Sequence, residues 1–233
     1  MYVRNNLLNM FARQSLACGR RTMFSVPQID VGPLLSCDED DRALRDVSEQ
    51  IKEASSSHGF FQIVNHGWSE DKRRNVFRET RQVFSVPEEE KRLNLVSNDA
   101  PGFTRGYITV GGESGSDLNE CKEAFSYGFD WQAEMHEKEN SLEGPNRWPV
   151  SFGGRTTMDD FYKDMTTISE AVVRGLSLSL GYDRSYLDRY CETGRRISLM
   201  RLFHYLPYDD PAVCSRFGDD DSKKVLSGLR LAI

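Results

Sequence analysis

The sequence predicts an α+β fold, because runs typical of strands and runs typical of helices are interspersed along the chain. Strand-like runs occur at residues 26–31, 60–65, 122–131 and 197–203, where apolar residues alternate with polar ones or form short aromatic and β-branched blocks. Other stretches have apolar residues every three or four positions, the spacing of an amphipathic helix.

The patterns of the first half predict each element in turn. Residues 26–31 alternate as a short strand, and residues 43–54 have their apolar side chains on one helical face. Residues 60–65 form a continuous aromatic and β-branched run, which predicts a buried strand. Ser69 is a suitable N-cap for the next helix, on which Phe77 is expected to face inward.

The second half begins with residues 98–117, which are rich in Gly and Ser and indicate loops with short strands. A strand is predicted at residues 122–131, and a long amphipathic helix at residues 157–180 with Gly181 as its C-terminal cap. The strand at residues 197–203 needs neighbouring strands to cover it. The residues after it look like loop, so we expect an unfinished sheet whose open edge a protein partner could cover.

Composition limits the classes of function. The chain has 233 residues, of which 38% are hydrophobic and 28% charged, as in an ordinary soluble protein. No run approaches the roughly 18 apolar residues that a membrane span needs. The net charge of -6 and the pI near 5.4 argue against nucleic acid and anionic membranes as partners, because both require a basic surface.

Cysteine spacing and the N-terminus bear on the cellular compartment. The five cysteines form no C-x-x-C pair, which fits reduced thiols and a cytoplasmic location. Residues 1–24 contain four arginines and no acidic residue. This composition is typical of a mitochondrial transit peptide, and the alternative is a disordered tail.

Six short segments carry recognisable motifs. They are VPQID at residues 26–30, HGFFQIVNHG at 58–67, FSVPEEEK at 84–91, RGY at 105–107, CKEAF at 121–125 and MRLFHYLP at 200–207. In their order and spacing, they resemble the isopenicillin-N-synthase-like branch of the iron(II)/2-oxoglutarate dioxygenases. The resemblance covers roughly residues 25 to 215, and six motifs in series are more specific than any one of them.

The resemblance implies a fold and a domain organisation. The family has an N-terminal region of helices and strands wrapped onto a double-stranded β-helix, which is a kind of jelly roll. Residues 25–150 would then be the non-haem dioxygenase N-terminal domain, and residues 151–226 the beginning of the catalytic dioxygenase domain. Residues 227–233 form a divergent tail, so the double-stranded β-helix is expected to be incomplete.

The resemblance also implies cofactors, Fe(II) and 2-oxoglutarate. The family holds Fe(II) with two His and one carboxylate, supplied by an H-x-D/E motif and a distant His that follow the last of the six motifs. This chain has four histidines, and none of them begins an H-x-D or H-x-E. We therefore assign no catalytic residue and no metal ligand, and expect neither cofactor to bind this chain stably. His66 is interpreted as part of a structural turn.

Three residues are candidates for binding small molecules by the resemblance. Tyr205 matches a tyrosine that helps to hold 2-oxoglutarate, and its alternative role is that of a strand tyrosine packed in the barrel. Arg105 and Tyr107 match a loop that helps to close the substrate pocket, and the alternative is an ordinary surface loop. Arg201 is expected to form a structural salt bridge, and Lys122 and Glu123 are expected to pair locally.

Two functions remain open on the sequence alone. The first is a truncated member of the family, whose reaction is the oxidation of a small organic substrate, and which is inactive alone because the iron ligands are missing. The second is a non-catalytic binding or regulatory module that pairs with a full-length relative, with strand addition completing its sheet.

Overall fold

The computed structural model describes residues 25–36, 40–96, 104–113, 120–131, 143–191, 198–207 and 210–213. The predictions for residues 1–24 and 227–233 lie outside the described residues. The elements in chain order are β1 Gln28–Asp30, α1 Gly32–Leu35, α2 Asp41–Ser57, β2 Gln62–Val64, α3 Glu70–Ser85, α4 Glu88–Arg92, β3 Gly106–Ile108, β4 Lys122–Gly128, α5 Arg155–Ser179, α6 Asp188–Cys191 and β5 Leu199–Tyr205. This mixture confirms the predicted α+β class.

Strands β1 and β2 form a parallel pair, with Ile29 opposite Ile63, and helices α1 and α2 lie in the connection between them. Ile29 is buried, whereas β2 is only half-buried and Phe60 before it is 51% exposed. The prediction of a buried strand was therefore wrong in its degree of burial. The physical reason is position: β2 pairs with β1 alone among the described residues, so it lies at a sheet edge.

The first hydrophobic core joins helices α1, α2 and α5 to β1. Its buried members are all apolar: Ile29, Val31, Leu34, Leu44, Val47, Ile51, Ala54 and Ala171. Gly175 of α5 permits the close approach, because a Cβ atom there would lie 2.8 Å from methyl groups of both Ile51 and Leu34. Helix α5 ends as predicted: Gly181 has a φ of 81°, and its N–H donates to the carbonyl of Leu178.

Helix α3 begins and packs largely as expected. The hydroxyl of Ser69 accepts a hydrogen bond from the Lys72 amide, which confirms the N-cap. Val76 and Val83 are buried, but Phe77 is 50% exposed, so the prediction that Phe77 faces inward was wrong. The guanidinium of Arg73 lies 5.6 Å from the Phe77 ring centroid, and this cation–π contact partly covers the ring at the border of the apolar face.

Strands β3, β4 and β5 form an antiparallel sheet in that order. One face packs on the second hydrophobic core, which contains Phe84, Tyr107, Phe125, Tyr127, Trp148, Phe152, Met158 and Tyr162. Because side chains alternate along a strand, the other face carries a separate set. We call it the far face, and its members on β4 and β5 are Lys122, Ala124, Ser126, Arg201, Phe203 and Tyr205.

The sheet connects the two halves of the chain. Strands β3 and β4 belong to the first predicted domain, whereas α5 and β5 belong to the second, and β5 pairs with β4 along its whole length. The division at residue 150 stays a prediction. None of the described helices combines the length and apolarity needed to cross a lipid bilayer.

Candidate functional site

A buried carboxylate lies at the centre of the core-facing side of the sheet. Oε2 of Glu123 accepts hydrogen bonds from Lys91 Nζ at 2.8 Å and from the Tyr107 hydroxyl at 2.6 Å. Oε1 lies 2.9 Å from Nδ1 of His204, which must donate because an ionised carboxylate only accepts. The three partners come from α4, β3 and β5, so one side chain of β4 links four elements.

The environment of this cluster keeps Glu123 ionised. Burial raises the pKa of Glu123, but the hydrogen bonds from His204, Lys91 and Tyr107 lower it further than burial raises it, so the net pKa lies below its ordinary value. Burial, together with the hydrogen bond to Glu123, raises the pKa of Tyr107 far above its ordinary value, so this hydroxyl stays a donor. The side chains of Lys91 and Glu123 are nearly inaccessible, which indicates a structural cluster.

The lowered pKa predicts how stability depends on pH. Because the folded-state pKa of Glu123 is below the ordinary value of 4.5, its stabilising contribution is complete above pH 4.5. The contribution is lost as the pH falls through the folded-state pKa. We therefore expect wild type to be more stable than Glu123→Gln near neutral pH, and the difference to shrink as the pH falls below 4.5. Urea denaturation at several pH values measures this difference, and a constant difference would contradict the prediction.

Arg105 belongs to a second buried cluster. Its side chain is fully buried, and Nη1 donates to Oδ1 of Asn146 at 2.9 Å. Asn146 in turn clasps Gly128, accepting from its N–H at 2.9 Å and donating to its carbonyl at 2.7 Å. Burial lowers the pKa of Arg105 below its ordinary value, and the nearby carboxylate of Asp130 offsets part of this effect.

Arg105 and Tyr107 are therefore not on an exposed surface loop. Both are at most 2% exposed and flank the start of β3, where their polar atoms hold the sheet together. The alternative of an ordinary surface loop is wrong, because the loop that precedes β3 folds its arginine inward. A role of the two residues in substrate binding stays a prediction.

The far face presents accessible charged and aromatic groups. Glu113, in the turn after β3, accepts a hydrogen bond from Arg201 and lies 3.6 Å from Lys122 Nζ. The predicted salt bridge of Arg201 is thus confirmed. Tyr205 is 71% exposed, so it is not packed among the described residues, and its contact with 2-oxoglutarate stays a prediction.

Lys122 and Glu123 do not pair with each other. Lys122 lies on the far face, where its ammonium is 2.8 Å from Glu120 and 4.7 Å from the ring centroid of Phe203. Glu123 points to the opposite face, where its cation is Lys91. Adjacent residues of a strand face opposite sides, so the two residues have separate partners. The prediction of local pairing is confirmed for Lys122, whose partner Glu120 is two residues away, and is wrong for Glu123, whose partner Lys91 is 32 positions away.

The histidines of the described residues do not gather into a metal site. Nδ1 of His66 accepts from the Trp68 amide at 3.2 Å within a turn in which Asn65 and Gly67 have positive φ, which confirms the structural interpretation. His204 is hydrogen-bonded to Glu123. Within the described ranges, no group of three or more His, Cys, Asp or Glu side chains could hold a metal ion. This donor set does not fit the two-His, one-carboxylate arrangement that a ferrous centre requires.

Comparison with known proteins agrees with this fold. A family model described as the non-haem dioxygenase in morphine synthesis N-terminal region matches residues 26–151, which is more than half of the chain. The chain belongs to this family of non-haem dioxygenases. Its relatives and structural neighbours extend the assignment to the iron(II)/2-oxoglutarate-dependent oxygenase superfamily that the six motifs indicated.

Two curated relatives illustrate the extent of the similarity. The chain is 34% identical over 163 residues to a homoarginine-6-hydroxylase of Arabidopsis thaliana, covering 67% of this chain and 48% of that protein. It is 30% identical over 199 residues to a clavatol oxidase of Penicillium crustosum, covering 78% of this chain and 58% of that protein. The chain thus spans about half the length of the curated relatives it matches.

Solved structures show the same fold. A full-length Neurospora crassa protein in complex with alpha-KG has a TM-score of 0.62 at 25% identity, with 80% of this chain and 56% of that chain covered. A 2OG-Fe(II) oxygenase family protein of Caulobacter crescentus has a TM-score of 0.64 at 16% identity, with 78% and 57% covered. Their likeness supports the double-stranded β-helix as the fold to which β3, β4 and β5 belong.

Proposed function

We propose that this chain forms the N-terminal region and the first part of the double-stranded β-helix of a 2-oxoglutarate-dependent dioxygenase. The family reaction is the oxidation of a small organic substrate with Fe(II), 2-oxoglutarate and oxygen. The observation that supports it is the accessible β5 side of the far face, where Arg201, Phe203 and Tyr205 project from the strand that carries the MRLFHYLP motif. The far face then corresponds to the inner wall of the barrel.

Within this proposal, the chain's own residues bind and orient rather than react. Tyr205 would contact 2-oxoglutarate, while Arg105 and Tyr107, at the start of β3, would support the strands that border the substrate. Their partners, the half-buried Asn146 and the buried Glu123, fix the backbone of β3 and β4 beneath the far face. The described residues do not bring together the imidazoles and carboxylate of a ferrous site, so we propose that this chain does not turn over alone.

A spectroscopic experiment tests this proposal. Fe(II) and 2-oxoglutarate are added anaerobically to the purified chain, with a catalytically competent 2-oxoglutarate-dependent dioxygenase as the positive control. We expect the charge-transfer absorption of the metal–2-oxoglutarate complex in the control and not in this chain, and succinate formation in the control only. A stoichiometric charge-transfer band or succinate formation from this chain would contradict the proposal of inactivity.

A second candidate function is a non-catalytic module that pairs with a full-length relative. The observation that favours it is the position of β5 at the edge of the sheet in the described part of the chain, with Phe203 and Tyr205 exposed beside it. An exposed strand edge can receive another strand. Co-expression with a full-length dioxygenase should then yield a stable complex by size-exclusion chromatography, and separate elution of the two chains would argue against this function.

A further inference from the structure

One carboxylate on the far face is shared between two cations. Oε1 of Glu113 contacts Nη1 of Arg201, and Oε2 lies 3.6 Å from Nζ of Lys122. Each oxygen therefore faces a different positive group. This is the arrangement with which a protein receives the carboxylate of a small molecule, since the two oxygens of an ionised acid accept from separate donors.

The two cations differ in how strongly they are held. Lys122 is only 14% exposed and keeps Glu120 at 2.8 Å, and its position over the Phe203 ring fixes it further. The side chain of Arg201 is 39% exposed, and its guanidinium contacts Glu113 as its acidic partner among the described residues. Partly exposed ion pairs contribute little net stability. A competing anion can therefore replace Glu113 at Arg201 without unfolding the sheet.

Aromatic side chains adjoin this anion site. Phe203 and Tyr205 follow Arg201 at alternate positions of β5, and they are 42% and 71% exposed. Their ring centroids lie 6.3 Å apart. The residues opposite Phe203 and Arg201 on β4 are small: Ala124 and Ser126. The far face thus combines a cationic site with accessible rings, on which a flat apolar group can pack.

Ser126 provides an independent observation beside the anion site. It is opposite Arg201 in the strand register and is fully buried, yet its hydroxyl has no hydrogen-bond partner within the described part of the structure. Buried polar groups are normally paired, so an unpaired hydroxyl indicates a missing polar group. An acidic ligand at Arg201 would bring such a group to this place.

We propose that Glu113 occupies the position of a ligand carboxylate, and that the ligand is the substrate, a small aromatic acid. Arg201 binds its carboxylate with support from Lys122, and Phe203 and Tyr205 contact its ring. Binding exchanges one carboxylate for another, so Glu113 swings away as the acid enters. This inference rests on the proposed function, because it takes the far face as the wall that meets the substrate.

Equilibrium binding tests the inference without iron, oxygen or turnover. The probe is para-fluorobenzoate, followed by fluorine NMR, and the neutral control probe is para-fluorobenzamide. In Glu113→Gln the competing charge is removed while the shape is kept. We therefore expect the variant to bind the benzoate roughly tenfold more tightly than wild type, which is the change in affinity that about one charge-assisted hydrogen bond produces. Asp164→Asn is the matched control, since Asp164 forms a partly exposed ion pair with Lys72 away from the far face.

The Arg201 variants complete the experiment. Arg201→Gln should weaken benzoate binding roughly tenfold, and Arg201→Lys, which keeps the charge, should retain most of it. Circular dichroism checks that each variant is folded, and the pair of Arg201 variants decides the question if Glu113→Gln does not fold. Equal affinity of wild type and Glu113→Gln, or equal binding of benzoate and benzamide, would overturn the inference.

A competition arm distinguishes the substrate from the co-substrate. If 2-oxoglutarate displaces the fluorinated acid and also binds more tightly to Glu113→Gln, the anion site belongs to 2-oxoglutarate and the substrate assignment is overturned. We expect 2-oxoglutarate affinity to be unaffected by Glu113→Gln. Failure of the proposed function is measured separately, by the charge-transfer band and by succinate.

Discussion

Replacement of Lys91 by Met is expected to lower the free energy of unfolding by about 3 kcal/mol, because it leaves the Glu123 carboxylate buried without its cation. The ammonium also donates to the carbonyl of Phe84 at 3.1 Å, and this acceptor loses its partner too. Tyr107 and His204 continue to donate to Glu123, so the fold should persist at neutral pH. Urea denaturation followed by circular dichroism measures the change.

The neighbouring residue supplies a matched control. Arg92 pairs with Glu88 on the same helix, but both side chains are more than half exposed. Arg92→Met removes a cation one position away and should cost less than about 0.5 kcal/mol, as for other exposed pairs four residues apart. Similar losses in the two variants would show that burial of the Lys91–Glu123 pair is not what makes it important.

Replacement of Gly106 by Ala is expected to destabilise the protein by more than about 3 kcal/mol, because two costs coincide there. Its φ of 115° is unfavourable for any residue with a Cβ atom. That Cβ would also lie 2.1 Å from the carbonyl oxygen of Asn94, which accepts the hydrogen bond from the Tyr107 amide. The backbone must move, and Tyr107 would move away from Glu123. Thermal or urea unfolding measures the loss.

Two other glycines distinguish the cost of positive φ from the cost of the contact between the added Cβ atom and Asn94. Gly181 has a φ of 81° but no atom within 4 Å of an added Cβ, so Gly181→Ala should cost only about 1 kcal/mol of backbone strain. A Cβ at Gly153 meets no atom within 4 Å either, and Gly153 does not have positive φ, so Gly153→Ala should change stability little. If Gly106→Ala were no worse than Gly181→Ala, the contact with Asn94 would be unimportant.

The local features of the fold could be predicted from sequence because their causes are local. Ser69 caps α3 through an amide three residues away, and Gly181 ends α5 through carbonyls in the preceding turn. Each interaction lies within one short segment, where residue type and spacing specify the geometry. The burial of β2 and Phe77 depended instead on which distant elements cover them, and sequence spacing does not contain that information.

The clusters of the site are non-local, and for that reason they were missed. Glu123 is 32 positions from Lys91 and 81 from His204, so no spacing rule connects them. One sequence feature could have indicated the cluster: Glu123 alternates with Phe125 and Tyr127 and must share their buried face, where a carboxylate requires a cation. The family motifs include Lys91 and Glu123, but they do not indicate that the two side chains are in contact. Glu113 lies outside all six motifs.

The pairing of β4 with β5 has a consequence for how the chain folds during synthesis. Phe125 lies opposite Leu202, so about 77 further residues must leave the ribosome after Phe125 before this pair can form. Until then the nascent polypeptide holds Glu123 without His204, and the aromatic cluster around Trp148 lacks Met200 and Leu202. The helices around β1 can assemble early, whereas the antiparallel sheet waits for β5. Chaperones that shield apolar strands should therefore associate with translation intermediates that end between β4 and β5.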